Sequence, residues 1–168
     1  MSHTIQTEPD LQRILFCTDF SDNANRAFEF AVGAATRHRG ATFYLLHVIP
    51  EPEAQFWKTY VYEVEDVDRK ARQDIDEKIR TAYLSRVPDT IDLRTEIRIG
   101  REAAEILSFA SEHNIDLIIM GRQGNSRLGS FLSGSVTAKV THKARCPVLI
   151  VPDTARRRPD PPEDKSNP

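Results

Sequence analysis

The chain has 168 residues, 23 Lys and Arg against 25 Asp and Glu, and a formal net charge of −2. One domain is the natural reading, because single domains hold about 100–200 residues, and 39% hydrophobic with 29% charged residues suits a buried core under a soluble surface. That balance speaks against a broad cationic face for nucleic acid, no apolar run nears the roughly 20 residues that cross a bilayer, and the polar stretch Met1–Asp10 lacks the apolar core of a signal peptide.

Short apolar runs alternate with helical patterns. Arg13 to Cys17 is nearly continuous in apolar character, as a strand covered on both faces requires. Ser21 then offers a helix N-cap with Asp22 in the first turn, and Ala24, Ala27, Phe28, Ala31, Val32 and Ala35 follow at helical spacing up to Gly40. Thr42 to Ile49 is a second buried strand, closed by Pro50 and Pro52. From Gln55 to Leu84 the chain is highly charged, with apolar residues every three or four positions, which predicts one or two helices with a solvated outer face. In the next strand Ile91, Leu93, Thr95, Ile97 and Ile99 alternate with other residues, the period-2 mark of an element open to water on one face and placed at an edge. Gly100 turns the chain into a helix carrying Ala103, Ala104, Ile106, Leu107 and Ala110, for which Asn114 is the left-handed cap.

Ile115 to Met120 reads as a strand, Gly121 to Gly134 as a glycine-punctuated loop, Ser135 to about Ala144 as a short helix, and Pro147 to Pro152 as a closing strand. Five strands alternating with helices predict a three-layer α/β fold, a parallel sheet with helices on both faces. The folded unit is residues 11–152. The tail 153–168 has Ala155 as its one apolar residue, four prolines and four charges of each sign, a composition that predicts disorder and leaves the −2 to the folded part.

Cys17 and Cys146 form no disulfide framework; each sits by an apolar run and reads as a small hydrophobe in a reducing cytoplasm. The five histidines show no zinc-ligand spacing, and His47, inside an apolar strand, reads as a hydrogen-bonded structural residue. Trp57, Tyr60 and Tyr62 read as packing or partner contacts, Arg122 and Arg127 as solvent-facing, and Ser126, Ser130 and Ser133 as flexible-loop residues.

Parallel α/β sheets bind ligands beyond the carboxyl ends of their strands. Two loops there stand out. Gly121-Arg122-Gln123-Gly124, nine residues, then Gly134-Ser135 at a helix start would let a backbone approach phosphates closely and present N–H groups to them, or the glycines simply turn a loop that holds no ligand. It ends in no Gly-Lys-Ser/Thr, so it is not a P-loop. Thr18-Asp19 ends the first strand, where a carboxylate accepts from ribose hydroxyls or an adenine amine, holds a metal, or simply supports the turn.

Ile14-Leu15-Phe16-Cys17-Thr18-Asp19-Phe20-Ser21, Leu45-Leu46-His47-Val48, Asp116 to Gly121, the spacing Gly-x2-Gly-x9-Gly-Ser and Cys146 to Val151 together resemble the universal stress protein family, specifically its ATP-binding branch. The resemblance implies sheet order 3-2-1-4-5, a Rossmann-like, adenine nucleotide alpha hydrolase-like fold, and one ATP per subunit, with Mg²⁺ at the phosphates. It implies that Thr18 and Asp19 meet the nucleoside and that the Val48 backbone pairs with the adenine edge. Met120 and Gly121 would line the ribose, and Gln123, Gly124, Gly134, Ser135 and Val136 would hold the phosphates. Cys17 stands where many ATP-binding members carry proline, which alters the adenine floor.

The expected function is a cytoplasmic, ATP-binding stress or signalling protein, not an enzyme, whose nucleotide state sets conformation or an unidentified protein partner. No general base or Walker lysine is evident, so efficient hydrolysis is not expected, and slow turnover or autophosphorylation stays open. A nucleotide-free interaction module of the same fold is the alternative. A pyrophosphatase-type enzyme of related fold is disfavoured because Ser-Gly-Gly-x-Asp-Ser is absent after the first strand. Val148, Leu149, Ile150 and Val151 form an apolar edge strand expected to pair two copies into a homodimer.

Overall fold

The computed structural model describes residues 9–50, 65–122 and 136–152. In chain order these form β1 (Arg13–Thr18), α1 (Asp22–Arg37), β2 (Thr42–Pro50), α2 (Glu65–Ala82), a 3-10 turn (Leu84–Arg86), β3 (Asp92–Gly100), α3 (Glu102–Glu112), β4 (Leu117–Gly121), α4 (Val136–Lys143) and β5 (Val148–Val151). Every neighbouring strand pair is parallel, and the sheet runs β3-β2-β1-β4-β5, the order expected. The predicted tail, the aromatics Trp57, Tyr60 and Tyr62, and the loop residues Ser126, Arg127, Ser130 and Ser133 lie outside the described residues.

Apolar runs in β1 and β2 arise because both sheet faces are covered. Ile14 and Phe16 of β1 join Phe43 and Leu45 of β2 in one layer, under Ala24, Ala27, Phe28, Ala31 and Ala35 of α1 and Ile79 of α2. Leu15 and Cys17 join Tyr44, Leu46 and Val48 in the other, under Ile106 and Phe109 of α3 and Val140 of α4. Full burial of each such large side chain contributes roughly 1.5–3 kcal/mol. Cys17 is buried as expected, whereas Cys146 is half-buried.

Local chemistry sets the element ends. Ser21 caps α1, its hydroxyl accepting the Ala24 N–H at 3.1 Å. Asn114 is left-handed (φ 48°) and closes α3, where Ile115 N–H donates to the Ala110 carbonyl at 2.9 Å and Asn114 N–H to Ser111 at 3.3 Å. That is a Schellman closure, in which a short polar side chain tolerates the left-handed conformation. Asp116 ties the start of β4 to that of β1: its Oδ2 accepts the N–H groups of Gln12 at 3.0 Å and Arg13 at 2.8 Å.

β3 lies at an edge, as its alternation predicts. Leu93 and Ile97 pack against the first layer, and Asp92, Arg94 and Glu96 stay exposed, a charged border that discourages further strand pairing. On this border the Arg98 guanidinium grips Glu112 at 2.6 and 3.2 Å, and Ser108 donates to the same carboxylate at 2.7 Å. These bonds hold the Glu112 carboxyl well down, at about 2.

Candidate functional site at the strand ends

With this strand order the topological reversal falls between β1 and β4, so the crevice to inspect lies beyond Thr18 and Gly121. The β1–β2 ladder ends at the pair Thr18 and His47, while β2 continues beside β3 to the pair Pro50 and Gly100. Thr42 donates its N–H to the Gln12 carbonyl at 2.8 Å, so the even-numbered residues of β2 turn their backbone groups toward β1. The Val48 carbonyl therefore faces the crevice one position past the last β1 partner.

Each side of Thr18 is held. Its Oγ1 accepts the Phe20 N–H at 2.9 Å and lies 2.6 Å from the Tyr83 hydroxyl in a buried contact. Its carbonyl lies 2.8 Å from His47 Nδ1. A carbonyl can only accept, so that ring nitrogen carries the proton, and His47 is the hydrogen-bonded structural histidine anticipated. Asp19 is half-buried, and its Oδ1 accepts the Ser21 N–H at 3.1 Å, so the carboxylate supports the turn at the mouth of the crevice.

Phe20 is the unusual member. Its φ is 60°, a region that bulky side chains rarely adopt. Its ring sits 4.6 Å from that of His47 and stacks at 6.0 Å on Tyr83, with the Lys78 ammonium 5.6 Å from its centroid. Tyr83 is fully buried and also packs on Phe28 at 4.7 Å and edge-on to Phe16 at 5.5 Å. Burial pushes its phenol up, partly offset by the bond to Thr18. Neither Phe20, in the turn after β1, nor Tyr83, in the charged stretch from Gln55 to Leu84, is assigned a role from the sequence.

The side chains of Cys17, Val48 and Met120 belong to the second apolar layer, and burial pushes the Cys17 thiol far up. Of the three, Val48 is the one whose backbone carbonyl turns to the crevice, past the last β1 partner. Gly121 has a packing reason of its own: a Cβ there would stand 3.0 Å from the backbone carbon of Asn23 and 3.2 Å from the Ala24 nitrogen, so its bareness lets the first turn of α1 rest on the end of β4. Arg122 is exposed, as expected, and its N–H donates to the Val151 carbonyl at 2.9 Å. Val136 opens α4 and packs against the second layer. The four other anticipated phosphate positions, Gln123, Gly124, Gly134 and Ser135, lie outside the described residues. Among the described residues no group of three or more His, Cys, Asp or Glu could hold a metal ion, and no helix is long and apolar enough to cross a membrane.

The fold has known counterparts. A universal stress protein of Thermus aquaticus is 34% identical over 138 residues, 82% of this chain and 96% of that protein. The solved structure of the universal stress protein MJ0577 of Methanocaldococcus jannaschii superposes with a TM-score of 0.69 at 30% identity, over 87% of this chain and 99% of that one. A universal stress protein solved in complex with cAMP shares the fold at a TM-score of 0.59 and 21% identity, over 87% of this chain and 100% of that one. The sequence profile of the universal stress protein family matches residues 10–152. With that match over most of its length, the chain belongs to the universal stress protein family.

Proposed function

We propose that this protein binds ATP at the carboxyl ends of β1, β2 and β4, and acts as a cytoplasmic homodimer whose nucleotide state sets its conformation or its choice of protein partner. The observation that carries the reading is the stagger between β1 and β2. It leaves the Val48 carbonyl past the ladder at the same sheet end as the half-buried Asp19 carboxylate. Two acceptors so placed suit a nucleoside, one for an exocyclic amine and one for ribose hydroxyls. Thr18 fixes Asp19, and the backbones of Cys17, Met120 and Gly121 floor the pocket.

The phosphates fall to the segment that leaves β4 at Gly121 and enters α4 at Val136, with the spacing Gly121, Gly124, Gly134, Ser135. Backbone N–H groups suit a polyanion in a chain whose net charge is −2. Gln123 and the Ser135 hydroxyl add side-chain contacts, and Mg²⁺ would accompany the phosphates. The solved relative with cAMP makes an adenine nucleotide the ligand class to test first. We read the protein as a binding module and not a hydrolase, because nothing in the sequence supplies a Walker lysine.

Mass spectrometry of small molecules released from freshly purified protein identifies the nucleotide and its phosphate state. Calorimetric titration with ATP then compares wild type with Gly124→Val, whose side chain should block close backbone approach. Equal affinity in the two proteins overturns the reading. No adenylate released and no ATP binding would leave an interaction module of the same fold.

A further inference from the structure

We propose that Tyr83 is a positioning residue for the nucleoside end of the pocket: through Thr18 Oγ1 its hydroxyl holds Phe20 in a left-handed conformation, which sets where Asp19 presents its carboxylate. The inference rests on the nucleotide reading above and adds α2 to the site, since Tyr83 directly follows that helix and donates its N–H to the Ile79 carbonyl at 2.9 Å. Four observations meet at one turn. The Thr18 and Tyr83 hydroxyl oxygens lie 2.6 Å apart, and the Phe20 N–H reaches the same Thr18 oxygen at 2.9 Å. His47 fixes the Thr18 carbonyl at 2.8 Å. Phe20 keeps φ at 60° with its ring against those of His47 and Tyr83.

A bulky residue stays in that backbone region only where its surroundings over-determine it. Here the hydroxyl and the carbonyl of Thr18 are both engaged, and the Phe20 ring packs against those of His47 and Tyr83. Asp19 lies between these two residues, so the peptide planes on either side of it are set by the same contacts. Without the Tyr83 hydroxyl, Thr18 Oγ1 loses a partner in a buried site and is free to rotate away from the Phe20 N–H that it holds at 2.9 Å.

The test uses Tyr83→Phe, Thr18→Val and Thr18→Ser in the full chain, each titrated with ATP, adenosine and inorganic tripolyphosphate. Tyr83→Phe and Thr18→Val are expected to weaken ATP and adenosine about five- to tenfold, the effect of one lost hydrogen bond. Tripolyphosphate affinity should stay within about twofold, and Thr18→Ser should restore nucleoside binding. A merely structural role would weaken all three ligands alike or none, and either result overturns the proposal. Amide exchange at Phe20, followed by NMR without ligand, separates the two ideas. Faster exchange in Tyr83→Phe and Thr18→Val, but not in Thr18→Ser, supports the lock, and unchanged exchange overturns it. Failure of the wild type to bind any adenine nucleotide overturns the nucleotide reading instead.

Discussion

A Cβ placed on Gly121 would stand 3.0 Å from the backbone carbon of Asn23, tight enough that one of the two must give by a few tenths of an ångström. Neither partner can yield easily, because one is a strand end and the other the first turn of α1. Gly121→Ala should therefore destabilise the fold by about 1–3 kcal/mol, as overpacked sites do. Thermal unfolding should shift down by about 2–12 °C for a chain of this size. An unchanged Tm would show that α1 moves aside freely.

Asp19→Asn separates charge from geometry. The amide oxygen can still accept the Ser21 N–H, so the turn should persist and Tm should change little. ATP affinity measured calorimetrically should fall about tenfold or more, because hydrogen bonds to a charged acceptor are the stronger ones. Unaltered affinity would reduce Asp19 to a turn residue.

The Arg98–Glu112 pair gives an acid-sensitive element. Its carboxyl is lowered from an ordinary 4.5 to about 2, first by the bond from Arg98 and then by that from Ser108. As pH falls, the unfolded chain takes up this proton before the folded one does. The contribution is complete above pH 4.5 and fades toward pH 2. Urea midpoints of wild type and Glu112→Gln should differ modestly near neutrality, the pair being solvent-accessible, and should converge toward pH 2. A constant gap across that range would contradict the assignment.

Ser21 and Asn114 were legible in the sequence because each acts on backbone groups only a few residues away. The strands were legible because coverage on two faces leaves a continuous apolar run, and coverage on one leaves the alternation of β3. The turn after β1 was not. Tyr83 meets Thr18 across 65 residues of sequence, and nothing in the word Thr-Asp-Phe-Ser announces a phenylalanine at φ 60°. Gly121 shows a subtler gap: a glycine where backbone must come close could be read, but not that the close approach includes α1.

Leu149 is the most exposed apolar residue of β5, at 38%, and lies on the free edge of the sheet. Leu149→Lys should fold normally, as an exposed position allows, and should shift the proposed dimer toward monomer in light scattering at micromolar concentration. A wild type already monomeric there would refute the pairing.

Native thiol labelling should divide the two cysteines. Cys17 is buried with its thiol pushed far up, and should react only after denaturation. Cys146 is half-buried and should react first, although slowly, since burial raises its thiol as well. Rapid native labelling of Cys17 would show that the floor of the crevice opens.

The clamp from Asp116 onto the start of β1 joins groups 103 residues apart. β1 is the middle strand, and its two neighbours come from opposite halves of the chain: β2 follows after one helix, and β4 only near the end. A ribosome that has released residues 1–110 would hold a three-stranded piece whose central strand has become its edge, with Ile14, Leu15, Phe16 and Cys17 waiting for a partner. The hazard in making this protein is thus concentrated in the interval before Leu117 emerges, and a chain stopped short of that point should aggregate through β1 itself.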